Sequence, residues 1–193
     1  MSHPLTRINA NIHKSIFWIL FGLTIGLLII MNIVGAPLTT GSAPRGIVSF
    51  EFAGSLESAA MIIRSWDEAV RILAAFSIGL DFLFLVLYST TIGLACLWSG
   101  RILAARKWSL AALGEPLAWG QWFAALLDIV ENIALMVVLV MFVQAGHIHE
   151  LVPRITQIVA GIKFTLVFIG LTYTFLGMTL YIVGKISRSS RET

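Results

Sequence analysis

Four long apolar stretches dominate the chain and limit what it can fold into. They cover residues 16–34 and about 74–98, 117–143 and 155–183. A helix needs about 20 apolar residues to cross a bilayer core of about 30 Å, so each stretch is long enough. Hydrophobic residues make up 58% of the chain and charged residues 12%, whereas soluble domains hold about 45–50% and about 25%. We therefore predict an all-α integral membrane protein of one domain, built as an antiparallel four-helix transmembrane bundle.

The distribution of Lys and Arg predicts the orientation of this bundle. Eight of these residues lie in the N-terminal tail, the connection between the second and third stretches, and the C-terminal tail: Arg7, Lys14, Arg101, Arg106, Lys107, Lys185, Arg188 and Arg191. Four lie on the other side: Arg45, Arg64, Arg71 and Arg154. Positive charge accumulates on the cytoplasmic side of membrane proteins. We expect both termini in the cytoplasm and a location in a bacterial-type cytoplasmic membrane.

The connection 35–73 is the only long one and lies on the predicted outer side. Its first half is rich in glycine and proline, which predicts irregular structure. Its second half, about 55–73, has one apolar and one charged face, typical of a helix lying in the membrane interface. Ser55 is a candidate N-cap, and Glu57 follows in the first turn, where a helix favours negative charge.

Ionisable residues inside the apolar stretches mark the candidate functional site. Asp81 lies on the second stretch, Asp128 and Glu131 on the third, and Lys163 on the fourth. Glu131 and Asn132 follow Asp128 at spacings of three and four, so the three residues share one helical face. At about 1.5 Å per residue, the charged groups lie in the outer half and middle of the bilayer. The sequence therefore predicts a single intramembrane cluster.

Such groups are costly within a membrane and usually face the bundle interior. Asp81 and Lys163 have opposite charge and similar depth, which favours a pair between them. Three carboxyls against one amine leave an excess of acid that needs protons, water or a cation. We predict an outward-accessible pocket for a small amphipathic ligand, a lipid headgroup or a cation. Its ligand-binding candidates are Asp81, Tyr88, Asp128, Glu131, Asn132 and Lys163.

Two other functions stay open. The first is a membrane-embedded acid–base enzyme acting on a lipid or isoprenoid, with Glu131 or Asp128 as the catalytic acid. The second is a structural or assembly subunit whose polar residues only join helices. Membrane lipid is an expected partner under every hypothesis, and a homo-oligomer stays open.

The sequence offers few signals for cofactors. His147 and His149, together with Glu57, are weak candidates for a metal site, because imidazole suits divalent metals. No histidine lies in the middle of a stretch, so a transmembrane bis-histidine haem is excluded. There is no nucleotide-binding motif. No basic run is interleaved with aromatics, so we expect no nucleic-acid partner.

Overall fold

The computed structural model describes residues 2–7, 10–145 and 151–189, and these residues form helices and no strands. The α-helices are α1 (Ala10–Gly35), α2 (Ile47–Glu51), α3 (Leu56–Ser65), α4 (Glu68–Ala105), α5 (Gly114–Ala145) and α6 (Leu151–Ser189). Short 3-10 helices occupy Pro4–Arg7, Ala36–Leu38 and Ser109–Leu113.

Four of the helices are long and apolar enough to cross a membrane. The candidate spans are Ile12–Leu38, Glu68–Ala105, Ser109–Gln144 and Leu151–Val183, with mean hydropathy between 1.9 and 2.4. Many of their apolar side chains point outward, including Ile33, Phe168 and Phe175. Outward apolar side chains suit contact with lipid. The prediction of an all-helical chain with four such helices is confirmed.

Helix α4 occupies the centre of the fold. It packs against α1, α5 and α6, and α5 also packs against α6. Small residues allow the closest approach of α4 and α5: a Cβ atom added to Gly114 would lie 2.9 Å from the carbonyl oxygen of Cys96 and 3.0 Å from Cα of Gly100. In contrast, α1 and α6 have few contacts with each other among the described residues. A groove therefore remains between them, with α4 as its floor.

Residues 36–66 form a folded cap over one end of the four long helices. Phe50, Ile63, Trp66 and Leu38 are fully buried in the cap core, which continues onto α4 and α5. The ring of Phe50 meets that of Trp66 edge-on at 5.6 Å, and the Trp66 indole Nε1 donates a hydrogen bond to the carbonyl of Leu38. The glycine- and proline-rich part of this connection has the predicted irregular structure over 39–46, between the 3-10 helix Ala36–Leu38 and α2, and apolar packing holds it in place.

The predicted amphipathic helix 55–73 is divided in two. Ser55 caps α3 as predicted, since its hydroxyl accepts a hydrogen bond from the backbone N–H of Ser58. The chain is extended at Trp66, and Asp67 then caps α4 by accepting from the N–H of Val70 at 2.8 Å. A second N-cap starts a new helix at this point, so residues 68–73 are the first turns of α4.

The N-terminal segment packs onto the start of α5. His3 is fully buried, with its ring 4.6 Å from that of Trp119 and 4.5 Å from that of Trp122. Its backbone N–H donates to the side chain of Glu115. Burial lowers the pKa of His3 below its usual value of 6.5, although Glu115 acts in the opposite direction.

Candidate functional site

Lys163 on α6 contacts both carboxyl groups of α5, those of Asp128 and Glu131. Its Nζ donates a hydrogen bond to Oδ1 of Asp128 at 2.8 Å and lies 2.9 Å from Oε2 of Glu131. The Tyr88 hydroxyl of α4 donates to the other oxygen of Asp128 at 2.9 Å. All four side chains are buried. The structure thus brings most of the predicted site residues into one cluster, between α4, α5 and α6.

Asp81 belongs to the same cluster through a different partner. Its Oδ2 accepts a hydrogen bond from Nδ2 of Asn132 at 2.7 Å. The predicted pair between Asp81 and Lys163 is wrong, because the ion pairs of Lys163 are with Asp128, Glu131 and Glu51. Among the described residues, Asp81 therefore receives a neutral amide and no ammonium at contact distance.

Glu51 is a member of the cluster that the sequence analysis missed. It ends α2, and the cap places its Oε2 at 3.9 Å from Nζ of Lys163. The residue is only 8% exposed. Burial raises the pKa of the Glu51 carboxyl to about 8, with Lys163 opposing the shift and the neighbouring carboxyls adding to it. The one available signal was an isolated acid between Phe50 and Phe52.

The cluster holds more acid than its single base can balance. The ammonium of Lys163 is ion-paired with three carboxyl groups, those of Glu51, Asp128 and Glu131. A fourth, that of Asp81, lies in the same cluster and accepts from Asn132. Three of the cluster's buried oxygens have no hydrogen-bond partner among the described residues: Oε2 of Glu51 and both carboxyl oxygens of Glu131, of which Oε2 is ion-paired with Lys163. Uncompensated charge is costly at low dielectric. The arrangement can therefore take up protons or accept a group that brings positive charge and N–H donors.

A cavity of about 780 Å³ connects this cluster to the groove between α1 and α6. Its polar end is lined by Glu51, Asp81, Asp128, Asn132 and Lys163, whereas Glu131 is not among the lining residues. Its apolar walls come from α1 and α6 and include Phe21, Ile25, Leu28, Phe164, Val167 and Leu171. Several of these wall residues are also exposed at the protein surface, so the cavity opens sideways between the two helices.

Of the predicted metal candidates, the structure describes only Glu57, which does not join the site. Glu57 is exposed and lines a separate shallow pocket of the cap, together with Arg64 and Arg154. His147 and His149 lie outside the described residues. Within residues 2–7, 10–145 and 151–189, no group of three or more His, Cys, Asp or Glu side chains is arranged to hold a metal ion.

Comparison with known proteins adds no functional information to this geometry. No protein-family model, curated protein or solved structure matches the chain. The functional argument therefore depends on the cluster and the groove.

Proposed function

We propose that the chain is a multi-pass protein of a bacterial-type cytoplasmic membrane that binds an amphipathic molecule in the groove between α1 and α6. The polar head of the ligand lies at the cluster, and its apolar chain follows the walls of the groove toward the lipid. The observation that carries this proposal is the continuity of the cavity, which joins a buried set of ionisable groups to an apolar surface. Ligand sites are commonly cavities of about 300–1,000 Å³ with a few placed polar groups.

The proposed membrane topology is an antiparallel bundle with cytoplasmic termini and the cap outside. Pairs of contacts that run in opposite order along the chain support alternating helix directions. Phe17 meets Trp98 and Thr24 meets Thr91 between α1 and α4, and Asp81 meets Asn132 and Tyr88 meets Asp128 between α4 and α5. Between α5 and α6, Gln121 meets Leu166 and Asp128 meets Lys163. The excess of Lys and Arg at the opposite end from the cap supports the orientation.

This topology can be tested by cysteine labelling. Ser42 is exposed on the cap, and the single native cysteine, Cys96, is buried and gives little background. A membrane-impermeant thiol reagent should label Ser42→Cys in intact cells. Labelling that requires lysis would place the cap in the cytoplasm and reverse the orientation.

The catalytic alternative receives less support from the geometry. Both oxygens of Asp128 are already occupied by Lys163 and Tyr88. Glu131, the other predicted catalytic acid, is fully buried and does not line the cavity. A purely structural subunit would need the polar contacts but not the cavity beside them. Ligand binding accounts for both features.

A pair of tryptophan substitutions on α1 tests the groove. Ile25 lines the cavity and is 40% exposed, whereas Ile30 is 50% exposed, is not among the lining residues and serves as the matched control. Native mass spectrometry of the protein in mild detergent should detect a retained amphipathic species in the wild type and in Ile30→Trp. The bulk of an indole in the groove should remove it from Ile25→Trp. Equal retention in the two variants, or no retained species in the wild type, would contradict the proposal.

A further inference from the structure

The carboxyl groups at the polar end of the groove differ in how well the chain itself neutralises them. Asp128 accepts from Lys163 and Tyr88, so its charge is compensated within the cluster. Among the described residues, Asp81 accepts from the amide of Asn132 and has the carboxyl of Asp128 beside it, and Oε2 of Glu51 lies 3.9 Å from Lys163 without a hydrogen bond. Asp81 and Glu51 both line the cavity. The acid that lacks compensation therefore faces the space where a ligand head would lie.

The cations that line the cavity do not cancel this excess. Lys163 is already shared among Asp128, Glu131 and Glu51. Arg45, the other cation of the lining, is an exposed residue of the cap and is screened by solvent. An anionic head would add negative charge beside acidic groups that lack a cation partner, whereas a neutral head would leave those groups dependent on bound protons.

Aromatic rings add a second feature that favours a cation. Phe84 and Tyr88 form a ring pair at 5.4 Å on the floor of the cavity, and both residues line it. Phe164 lines the α6 wall, and Nζ of Lys163 lies over its ring, 4.8 Å from the ring centroid. The faces of such rings attract ammonium groups, most strongly away from water.

We propose that the ligand head is an ammonium group, which Asp81 and Glu51 bind at the polar end of the groove. The ligand class is thus an amphipathic amine with an apolar chain. The N–H bonds of the amine donate to Oε2 of Glu51, which has no hydrogen-bond partner among the described residues, and to Asp81. The positive charge replaces protons that the cluster otherwise needs. This inference rests on the proposed function, because it assumes that the groove binds a ligand.

Three probes of equal chain length test the charge preference. Dodecylamine, dodecanol and dodecyl phosphate are added to the protein in a neutral detergent, and binding is followed by native mass spectrometry and by the shift in Tm. Dodecylamine should bind at least about tenfold more tightly than dodecanol, a ratio that corresponds to about 1.4 kcal/mol, and dodecyl phosphate should bind weakest. This comparison uses the wild-type protein and does not depend on a variant that must fold.

Variants then assign the preference to residues. The double variant Asp81→Asn with Glu51→Gln should bind dodecanol as the wild type does but should lose the preference for the amine. Glu57→Gln, which removes an exposed carboxyl of the same cap outside the groove, should keep the preference.

The outcomes separate this inference from the proposed function. If all three probes bind equally and Ile25→Trp blocks them all, the groove binds amphiphiles and the ammonium inference is overturned. Tightest binding of dodecyl phosphate would also overturn it, because Lys163 and Arg45 would then select an anion. If no probe binds, or if Ile25→Trp leaves binding intact, the groove itself is not a ligand site and both proposals fail.

Discussion

Removing the ammonium of Lys163 should destabilise the protein by an amount that depends on pH. In Lys163→Met, Asp128 and Glu131 lose an ion pair at 2.8 Å and one at 2.9 Å. One more carboxyl must then be neutral in the folded state. Since an ordinary glutamic acid has a pKa of about 4.3, its protonation costs about 3.7 kcal/mol at pH 7 and about 1 kcal/mol at pH 5. The value at pH 7 agrees with the loss of about 3–5 kcal/mol expected when one partner of a buried ion pair is removed.

The free energy of unfolding can be measured by titrating SDS into mixed micelles while following tryptophan fluorescence and circular dichroism. We expect the deficit of Lys163→Met at pH 7 to shrink by more than half at pH 5. A second substitution that removes one carboxyl restores the formal charge of the cluster. Glu131→Gln in the Lys163→Met background should therefore recover most of the lost stability.

The matched control is Asp81→Asn in the same Lys163→Met background. It restores the same formal charge, but Asp81 has no contact with Lys163 and accepts its hydrogen bond from Asn132. It should recover less than half of what Glu131→Gln recovers. Equal rescue by the two variants would mean that only the total charge of the cluster matters, and would refute the reasoning from contacts. A Lys163→Met variant as stable at pH 7 as the wild type would refute it as well.

Three further predictions follow from the packing and from groups outside the spans. Gly114→Ala should lower stability by about 1–3 kcal/mol, because its Cβ would meet the backbone of α4. The control Gly120→Ala should not lower stability, because the nearest atom to its Cβ would lie at 4.0 Å. The Tm of each variant in detergent measures the difference. The raised pKa of Glu51, about 8, means that its contribution to stability is present below pH 4.5 and is lost as pH rises toward 8. The Tm of the wild type should therefore fall from pH 5 to 8 more steeply than that of Glu51→Gln, and parallel slopes would contradict this. The pKa of His3 is lowered, so its effect on stability has the opposite pH dependence: the stability of its contact with the tryptophans is lost as pH falls below 6.5. Tryptophan fluorescence should therefore change between pH 7 and 5 in the wild type and change less in His3→Gln.

The sequence was informative about the site wherever the argument depended on one helix at a time. The spacing of Asp128, Glu131 and Asn132 placed them on one face of α5. In the structure, Asp128 and Glu131 contact Lys163, and Asn132 contacts Asp81. The partner of Lys163 was wrong because depth along a helix restricts which groups can meet but does not determine the rotation of each helix about its axis. Asp81 and Asp128 lie at similar depth, and packing of α6 against α5 selects Asp128.

The cap was beyond this kind of reasoning for a different reason. Helix α2 has five residues, too few for a hydrophobic period to show. Its position depends on tertiary contacts such as those of Phe50 and Leu38 with Trp66. Glu51 reaches the cluster only because the cap folds, so no local pattern could have placed it there.

If the groove binds an amphiphile as proposed, its sideways opening determines how occupancy depends on the surroundings. Under the proposed function, a ligand that enters between α1 and α6 comes from the lipid phase, where an amphiphile accumulates far above its concentration in water. Occupancy is then governed by the mole fraction of ligand in the membrane, and an apparent Kd referred to the aqueous phase will rise in proportion to the amount of lipid or detergent present. Two preparations of the same protein can thus give different apparent affinities with no change in the site. Titrations should agree only when ligand is expressed per lipid.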